Sequence, residues 1–593
     1  MINKPTYLGK VVSVSGSSLL IQLTPQVRSG LLIIEGRTHR IGQVGSFVRI
    51  PQGYNHLYGV ISETGESIVA GTNDVDASER RNIKVELVGE SIGDEFERGI
   101  GQFPSINDEA HLVTEVDLKK IYGNNDEGQI VFGKLSSSDS INVSVDLDSL
   151  VNKHSALLGS TGSGKSTSVS SLLRSIVTDF DDVLTKPSAR IVLFDIHGEY
   201  ASALGDISTI YSVSPREGEE NLYIPYWCVS PESLIDFLCG QNGSIKNKFM
   251  DKIVDEKKIL AKINGIDIDE DKITPYTPLP FRLNKIWYDL SHEDNVNWKD
   301  KEKSDPSYIS EGNYVTLEAA TFNPPDTTKA TLCVKGGKQE YKKQLDLMRS
   351  KLLDGQYSFF LSPGKWTPND ESIVEADLPE LIKQWIGNQK PITILDLSGM
   401  PSSRLDLLLG SVLDVLFESA IWGRNLSEGM KERPLLLVME EAHRYLSSDN
   451  NGLAKEMVRR IAKEGRKFGV GSMLVSQRPS EIDETILSQC GTLFALRINN
   501  ATDRARVKSA MSDGLSGIVD SLPILRTGEA IVTGEAARLP MRCRFKVPRE
   551  GRFPDSSDPK VSEQWAKPYE KLDYTKLVAS WRQQNSYLPK EDK

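Results

Sequence analysis

One glycine-rich stretch carries the clearest chemical signal in this sequence. Residues 159–166, GSTGSGKS, fit the phosphate-binding pattern G-x-x-x-x-G-K-[ST] without a mismatch. Glycines let backbone N–H groups turn toward a polyphosphate, and the N-terminus of a following helix adds a favourable dipole. The lysine of the pattern would neutralise the β- and γ-phosphates, and its last hydroxyl would ligate Mg²⁺. The residues predicted to bind the nucleotide are Gly159, Ser160, Thr161, Gly162, Ser163, Gly164, Lys165, Ser166 and Thr167.

The residues on either side of this loop favour the same interpretation. The apolar run Ala156–Leu158 precedes it as a short buried strand would, and Ser168–Leu173 has apolar residues at helical spacing. A chance glycine-rich turn is the alternative, but a strand–loop–helix context is what confirms the motif. The sequence therefore predicts a protein that binds ATP together with Mg²⁺, which the Ser166 hydroxyl would help to hold.

Two adjacent carboxylates, Glu440 and Glu441, follow the five apolar residues 435–439. Hydrolysis of a nucleoside triphosphate needs an acid that holds Mg²⁺ and a base that orients the attacking water. We assign Glu440 to the metal and Glu441 to the water. Solvated surface charge is the alternative, which the preceding apolar run disfavours. Asp is the more usual residue at the first position, so the longer Glu440 would ligate with a shifted geometry.

Two further polar residues end strand-like runs. Asp195 closes the run 190–195, where it could orient water or metal from an adjacent strand, or cap the helix that follows. Gln477 is placed to sense the γ-phosphate through a hydrogen bond, or it is a turn residue before Pro479. Both pairs of alternatives stay open at this point.

An arginine is also needed, because negative charge develops on the transferring phosphoryl group, and a neighbouring subunit often supplies it. The predicted helix at 456–467 offers Arg459, Arg460 and Arg466, each of which could instead be a solvated helix charge. Arg466 is the first candidate, since it lies at the helix end just before the strand-like run 471–477.

Five continuous apolar runs, each ending in polar residues, must position these side chains. Helical segments separate the runs, which is typical of a parallel sheet covered on both faces. Ligands of such sheets bind beyond the carboxyl ends of the strands, so the polar residues there should face the phosphate loop. The predicted fold class is α/β, with a RecA-like P-loop ATPase core. The runs are 190–196, 392–396, 435–441, 471–477 and 492–498.

The other segments divide the chain around that core. Short β-rich runs from residue 6 to about 90, separated by turn signals, predict a small β-barrel. The barrel has no catalytic constellation, so we expect it to serve assembly or partner binding. Helical stretches replace the strand pattern in a long middle segment, which predicts a mostly helical insertion. The expected domains are the barrel (1–125), the core's first part (126–224), the insertion (225–389), the core's second part (390–550) and a tail (551–593).

Bulk composition limits the class of protein. A chain of 593 residues is too long for one hydrophobic core, and 38% hydrophobic with 26% charged residues is ordinary for a soluble protein. The net charge of −11 argues against a protein that coats DNA over its whole surface, but it does not exclude a basic channel. The five cysteines form no C-x-x-C pair and offer no zinc site. With no signal-peptide core and no membrane-spanning run, we expect a cytoplasmic protein that makes no membrane contact.

Several motifs, in their order along the chain, resemble the HerA branch of the HerA/FtsK ATPases. The resemblance implies a homohexameric ring that threads double-stranded DNA through its central pore and hydrolyses ATP between subunits. It also implies a partner: a nuclease in DNA end processing, or a nuclease or sirtuin-like NAD hydrolase effector in antiphage defence. The motifs are Phe96–Ile100 in the barrel, then Leu158–Ser166, Asp195–Tyr200, Asp396–Gly399, Glu440–His443, Gly465–Gly469 and Ser476–Pro479.

Two functions of different classes stay open. One is a DNA-translocating motor, and the other is a nucleotide-binding scaffold that organises and activates a partner effector. The hydrolytic set Lys165, Glu441 and Arg466 favours a working ATPase. Candidate DNA contacts are Arg404 and the basic stretch 328–343, in which Gly336–Gly337 is predicted to be a flexible tip, although a solvated face explains these charges equally well. The lysines of that stretch are Lys329, Lys335, Lys338, Lys342 and Lys343.

Overall fold

The amino-terminal strands close into a small antiparallel barrel in the computed structural model. Six strands follow one another around it in the order β1, β9, β5, β6, β7 and β2, and β2 closes the ring by pairing with β1. Val11, Ile21 and Ile83 face one another across these pairs and are fully buried, which explains the alternation of apolar residues. The strands of this region are β1 (Tyr7–Ser15), β2 (Ser18–Leu23), β3 (Leu31–Ile34), β4 (Arg37–Arg40), β5 (Phe47–Gln52), β6 (Asn55–Glu66), β7 (Arg81–Ile92), β8 (Glu95–Arg98) and β9 (Glu109–Leu112).

The first part of the ATPase core follows the barrel. Its strands are β10 (Gln129–Leu135), β11 (Ser138–Asp146), β12 (Ser155–Leu158), β13 (Arg190–Asp195) and β14 (Ser208–Ser212). Helix α1 (Glu115–Tyr122) precedes this part of the core. Its own helices are α2 (Leu147–Asn152), α3 (Lys165–Val177) and α4 (Ala201–Leu204). The amino-terminal region contacts the second part of the core directly, because the Arg98 guanidinium donates a hydrogen bond to the Gly534 carbonyl at 2.7 Å.

The middle of the chain is mostly helical, with very short strands and isolated bridges among the helices. Its helices are α5 (Pro231–Cys239), α6 (Gly243–Ile263), α7 (Leu283–Asn295), α8 (Lys342–Leu352), α9 (Ser358–Leu361) and α10 (Leu378–Ile386). Its strands are β15 (Glu220–Asn221), β16 (Asn297–Trp298), β17 (Tyr308–Ser310), β18 (Thr321–Phe322) and β19 (Val334–Lys335).

The second part of the core supplies the remaining strands. They are β20 (Ile392–Asp396), β21 (Leu435–Met439), β22 (Val470–Ser476), β23 (Thr492–Ala495), β24 (Glu529–Gly534) and β25 (Met541–Phe545). The helices are α11 (Ser402–Trp422), α12 (Leu453–Phe468), α13 (Glu484–Leu487), α14 (Ala501–Ala510) and α15 (Ser516–Val519), followed in the tail by α16 (Val561–Trp565) and α17 (Thr575–Gln583).

One large sheet organises the core. From β23 through β12, β22, β21 and β13 to β20 the strands are parallel, as the apolar runs predicted. Beyond β23 the order continues through β24, β25, β10 and β11, and these four strands are antiparallel to their neighbours. The predicted class, an α/β core with an amino-terminal barrel and a mostly helical insertion, is confirmed. The structure differs from the predicted parallel sheet in these four antiparallel strands, because an apolar run specifies a strand but not its direction.

Contacts divide the chain into two units. The first contains Met1–Ile210, Gln389–Ser402 and Ala420–Leu588, and the second contains Tyr211–Asn388, Ser403–Ser419 and Pro589–Lys593. The structure describes residues 6–27, 31–34, 37–40, 42–66, 81–93, 95–122, 127–179, 181–241, 243–326, 333–398, 400, 402–448, 452–511, 516–556, 560–569 and 572–583. The expected boundary at residue 125 and the lysine at position 329 lie outside these ranges.

Candidate nucleotide-hydrolysis site

The glycine-rich loop joins the fully buried strand β12 to helix α3, which begins at Lys165. Gly162 and Gly164 have φ angles of 74° and 86°, in the left-handed region that favours glycine. A Cβ atom at Gly164 would lie 2.9 Å from the backbone nitrogen of Gly528, so this position has no room for a side chain. The loop therefore turns tightly into the helix, and the first N–H groups of the helix point toward a site for a polyphosphate.

Neighbouring strand ends fix the loop in place. The Gly159 N–H donates to the Ser476 carbonyl at 3.1 Å, and the Ser160 N–H donates to the Arg497 carbonyl at 2.9 Å. The Arg497 guanidinium donates in turn to the Gly162 carbonyl at 2.7 Å. Arg497 thus contacts the phosphate loop of its own chain.

A second segment against the loop, Thr527–Gly528, carries no sequence signal that would have revealed it. The Gly528 N–H donates to the Ser163 carbonyl at 2.9 Å, and the Thr527 hydroxyl lies 3.4 Å from the Gly162 carbonyl. This segment precedes β24, one of the antiparallel strands. Only the three-dimensional arrangement of those strands brings it to the phosphate loop.

Lys165 and Glu441 form a buried ion pair, with 8% and 4% of their surfaces exposed. The His443 Nδ1 atom lies 3.2 Å from Glu441 Oε2. Burial alone would raise the pKa of Glu441, but the hydrogen bond from His443 and the charge of Lys165 outweigh it and lower the pKa to about 2. The structure therefore places the predicted base, ionised, directly against the predicted phosphate-binding lysine.

The backbone of Glu441 is strained. Its φ angle of 45° lies in the left-handed region, which costs a non-glycine residue on the order of 1–3 kcal/mol. Such a conformation persists only where the surroundings fix it, and here the ion pair with Lys165 does so. The chain turns sharply between Glu440 and Glu441, so the two carboxylates meet different partners.

Glu440 is almost fully buried at the end of β21, with 1% of its surface exposed. The Tyr200 hydroxyl donates to Glu440 Oε1 at 3.1 Å, and the Tyr445 hydroxyl donates to the Glu440 backbone carbonyl at 3.0 Å. Its Oε2 atom is buried and accepts no hydrogen bond from the described residues. Burial, and then the like charge of Asp195, raise the pKa of Glu440 well above its usual value.

These features fit a nucleotide-bound Mg²⁺. Mg²⁺ in such sites takes only one or two protein oxygens besides phosphates and waters. Glu440 Oε2 is a carboxylate oxygen without a partner, and Ser166 brings a hydroxyl to the first turn of α3. No cluster of three or more His, Cys, Asp or Glu side chains suited to a metal occurs among the described residues, so an independent metal centre has no support in them.

Asp195 is fully buried, and backbone N–H groups occupy both of its oxygens. Oδ1 accepts from His197 at 3.2 Å and from Gly198 at 2.8 Å, and Oδ2 accepts from Tyr200 at 2.9 Å. Burial raises the pKa of Asp195 to about 6 although the Tyr200 N–H bond lowers it. Of the two alternatives left open by the sequence, these contacts favour capping of the following turn.

Gln477 contacts the phosphate loop, which favours the sensor among the two alternatives left open by the sequence. Its Oε1 atom accepts a hydrogen bond from the Thr161 hydroxyl at 2.7 Å. Gln477 follows the last residue of β22, which pairs in parallel register with β12, so both chain segments emerge at the same end of the sheet. We call this end, where the parallel strands finish, the carboxyl edge, and the opposite end the amino edge.

Arg466 lies at the amino edge. It is exposed in the last turn of α12, four residues before β22 begins at Val470. The seven residues of β22 separate that end from Gln477, which at about 3.3 Å per residue is roughly 20 Å. Arg466 thus lies at the end of the sheet opposite its own chain's phosphate loop. Arg459, on the same helix, is held by Asp483 at 2.6 Å.

The candidate DNA-binding side chains lie in the second unit. Arg404 stacks over the Tyr357 ring at 4.8 Å. The prediction that Gly336–Gly337 is a flexible tip is wrong, because a Cβ at Gly337 would lie 2.2 Å from the Asp294 carbonyl oxygen, and its N–H donates to the Val296 carbonyl at 2.7 Å. The exposed lysines of the basic stretch are Lys335, Lys338, Lys342 and Lys343.

Comparison with known proteins bears on this site directly. Residues 130–415 match the family model described as "Helicase HerA, central domain". This part of the chain is similar to the central domain of HerA helicases. The resemblance predicted from the motifs is confirmed, and with it the enzyme class, an ATPase. The matched range includes the phosphate loop, the Asp195–Tyr200 segment and β20.

Curated relatives extend the similarity over most of the chain. The DNA double-strand break repair helicase HerA of Sulfurisphaera tokodaii is 28% identical over 79% of this chain and 79% of its own length. Its namesake from Pyrococcus furiosus is 25% identical over 84% of this chain and 82% of its own. Among solved structures, VirB4 of Thermoanaerobacter pseudethanolicus is 16% identical and covers 72% of this chain and 98% of its own, with a TM-score of 0.44. In the described part of the chain, every helix is too short or too polar to cross a bilayer.

Proposed function

We propose that this protein is an ATP-driven motor that translocates double-stranded DNA as a homohexameric ring. The observation that carries the proposal is the division of the hydrolytic residues between two edges of one sheet. Lys165, Glu440, Glu441 and Gln477 meet at the carboxyl edge, whereas Arg466 lies roughly 20 Å away at the amino edge. A ring in which the amino edge of one copy faces the carboxyl edge of the next would complete each site.

The first step is binding of the nucleotide. Backbone N–H groups of the loop bind the polyphosphate, and the Lys165 ammonium exchanges Glu441 for the β- and γ-phosphate oxygens. Glu440 and Ser166 would hold Mg²⁺, which would supply positive charge to neutralise the phosphates. Exchange of the ion-pair partner leaves the Glu441 carboxylate ready to accept a proton. Gln477, beside Thr161, donates a hydrogen bond to the γ-phosphate.

In the second step Glu441 removes a proton from water as the water oxygen attacks the γ-phosphorus. The bond from that phosphorus to the β,γ-bridging oxygen breaks, which yields ADP and phosphate. Arg466 of a neighbouring copy neutralises the charge that spreads over the equatorial oxygens, a contribution of about 10³–10⁵ in rate where an arginine acts in this way. Asp195 does not enter this scheme as a base, because three backbone N–H groups already occupy its oxygens.

DNA is the proposed substrate of the motor. Its supports are the family match and the HerA relatives, whose names describe repair helicases of DNA double-strand breaks. The exposed lysines 335, 338, 342 and 343 are candidate phosphate contacts, which would act without sequence preference. Through the same resemblance we extend the proposal to a partner nuclease or sirtuin-like NAD hydrolase, acting with the ring in DNA end processing or antiphage defence.

The experiment that tests the motor combines two readouts on one preparation. ATP turnover is measured with and without duplex DNA over a range of salt concentrations, and displacement of a triplex-forming strand reports translocation. We expect DNA to stimulate turnover, the stimulation to fade as salt rises, and displacement to require ATP. Glu441→Gln is the matched control, because it retains shape and nucleotide binding but cannot accept the proton. Turnover that ignores DNA, with no displacement, would favour a nucleotide-binding scaffold instead.

The barrel has its own test. Its described residues bring together no metal-binding cluster, and its sequence shows no catalytic constellation, so we propose that it supports ring assembly or partner capture. Native mass spectrometry of a chain lacking residues 1–125 should show fewer hexamers or loss of the partner. A stable hexamer that still captures its partner would contradict this role.

A further inference from the structure

Tyr200 has a side chain that the hydrolysis scheme does not use. It is fully buried, with 0% of its surface exposed, and its hydroxyl donates to Glu440 Oε1 at 3.1 Å. This bond joins residues 240 positions apart in the chain and crosses from the loop after β13 to the end of β21, the neighbouring parallel strand. A phenol buried against a buried carboxylate restricts the rotation of that carboxylate.

The turn that presents Tyr200 is built for one conformation. Asp195 accepts the N–H groups of His197, Gly198 and Tyr200, so a single carboxylate gathers the whole turn. Gly198 has a φ of 71°, and a Cβ there would lie 3.1 Å from the Ser398 hydroxyl. In the segment 195–200, Asp195 therefore holds the turn by hydrogen bonds, and Gly198 adopts the backbone conformation that the turn requires. Tyr200 then places its phenol beside Glu440.

The consequence for Glu440 is an asymmetric carboxylate. Oε1 is occupied by the Tyr200 hydroxyl, whereas Oε2 is buried and accepts no hydrogen bond from the described residues. Buried carboxylate oxygens without partners are costly, so an oxygen kept in that state suggests a ligand that completes it. Tyr445 offers the contrast: its hydroxyl also bonds to Glu440, but to the backbone carbonyl and not to the carboxylate.

We propose that Tyr200 is a positioning residue for Mg²⁺: it holds Glu440 through Oε1 so that Oε2 faces the nucleotide-bound ion, and Asp195 holds Tyr200. The inference rests on the proposed assignment of Glu440 to the metal. Asp195 then contributes to hydrolysis without touching nucleotide or water. Hydrogen-bond partners of metal ligands typically account for 10–100-fold in metal affinity, so the effect is large enough to measure.

The test measures Mg²⁺ coupling in the full-length protein without relying on turnover. The dissociation constant of a fluorescent ADP analogue is determined with Mg²⁺ and with EDTA, and the ratio of the two constants is the Mg²⁺ coupling factor. For Tyr200→Phe we expect this factor to fall about tenfold while the constant in EDTA stays within twofold of the parent. Tyr445→Phe, which deletes an equally buried hydroxyl, should leave both constants unchanged.

Two further variants separate the possible failures. Glu440→Gln should lose the coupling factor, and adding Tyr200→Phe to it should cause no further loss. If Glu440→Gln retains the factor, the metal assignment is wrong and the inference falls with it. If Glu440→Gln loses it but Tyr200→Phe retains it, only the inference is overturned. An equal loss of affinity in EDTA would show that Tyr200 supports the fold alone.

Asp195→Asn provides an independent variant, for which we expect the Mg²⁺ coupling factor to fall about threefold. An unchanged coupling factor in this variant would remove Asp195 from the proposal.

Discussion

The two edges of the parallel sheet differ in how their polar side chains are held. At the carboxyl edge Lys165 and Glu441 are paired and buried, and Gln477 is bonded to Thr161. At the amino edge Arg466 projects from the last turn of α12 into solvent. One edge is preorganised within a single chain, whereas the other presents a cation with no anion of the nucleotide site near it.

Under the proposed mechanism, this difference lets one fold supply both halves of a hydrolytic site. Before a nucleotide binds, the buried Glu441 carboxylate needs a counterion, and Lys165 provides it. An arginine that acts on a neighbouring copy must instead stay exposed until the copies meet. Helix α12 connects the two situations, because it carries the chain from the end of β21 at the carboxyl edge back to the start of β22 at the amino edge.

Replacing the phosphate-binding lysine at the carboxyl edge should have the largest effect on ATP turnover. Lys165→Ala removes the fixed cation for the β- and γ-phosphates and leaves Glu441 buried without its partner. We expect turnover below detection and weakened ATP binding, measured by phosphate release and by a fluorescent nucleotide. Turnover equal to that of the parent would contradict the assignment of the phosphate loop.

Replacing the arginine at the amino edge should lower ATP turnover without a comparable loss of nucleotide binding. For Arg466→Ala we expect kcat to fall by about 10³ or more, because the arginine acts on charge that develops only in the transition state. Lys467→Ala is the control, since Lys467 is exposed in the same turn of α12. Equal effects of the two substitutions would point to a general charge effect at this surface.

We expect a smaller effect on turnover when Gln477, the candidate sensor of the γ-phosphate, is replaced. Gln477→Ala removes one hydrogen bond to a charged group, worth roughly 1.5–3 kcal/mol, so kcat should fall by about 10-fold to 150-fold. The adjacent Arg478→Ala is a suitable control, because Arg478 is exposed and paired with Glu481. A change confined to KM would indicate that Gln477 contributes to binding only.

The smallest effect on turnover is expected from the anchor of α12. Asp483 binds Lys455 at 3.2 Å and Arg459 at 2.6 Å. Burial raises the pKa of Asp483, but the bonds from Arg459 and Lys455 outweigh burial and lower it to about 2. Because the folded-state pKa lies below the unfolded one, this stabilisation is complete above about pH 4 and is lost as the pH falls through 2.

Asp483→Asn should therefore lower the free energy of unfolding by roughly 2 kcal/mol at neutral pH, with turnover changed only severalfold. Urea unfolding between pH 2 and pH 7 measures the difference, which should shrink toward the acid end. Glu456→Gln, an exposed carboxylate of the same helix, is the control. A pH-independent difference would show that the ionised form of Asp483 is not what anchors α12.

Local patterns were sufficient for much of this architecture. The G-x-x-x-x-G-K-S loop lies between a buried strand and a helix, as its flanking residues predicted, and the apolar runs are the parallel strands. Each of these features depends on a few consecutive residues, and periodicity captures such features. The barrel was predictable for the same reason, although its strands β8 and β9 lie beyond the predicted range of about 6–90.

Contacts between distant segments could not be predicted in this way. Thr527–Gly528 lies against the phosphate loop because β24 is antiparallel to β23, a choice that no local pattern encodes. The hydroxyl of Tyr200 meets Glu440 across 240 positions, and Gly336–Gly337 is fixed by close packing against residues near 295. His443 had a visible signal, its place directly after Glu441 and Ala442, but its hydrogen bond to the base depended on the left-handed turn at Glu441.

The most direct test of the account mixes two inactive variants. The Arg466→Ala chain retains an intact phosphate loop and Glu441, and the Glu441→Gln chain retains Arg466, so an interface between them can pair one complete site. In mixed rings, verified by native mass spectrometry, we predict that ATPase activity partly returns and depends on the mixing ratio. If verified mixed rings stay inactive at every ratio, Arg466 does not act between copies, and the proposed division of the site between the two edges is wrong.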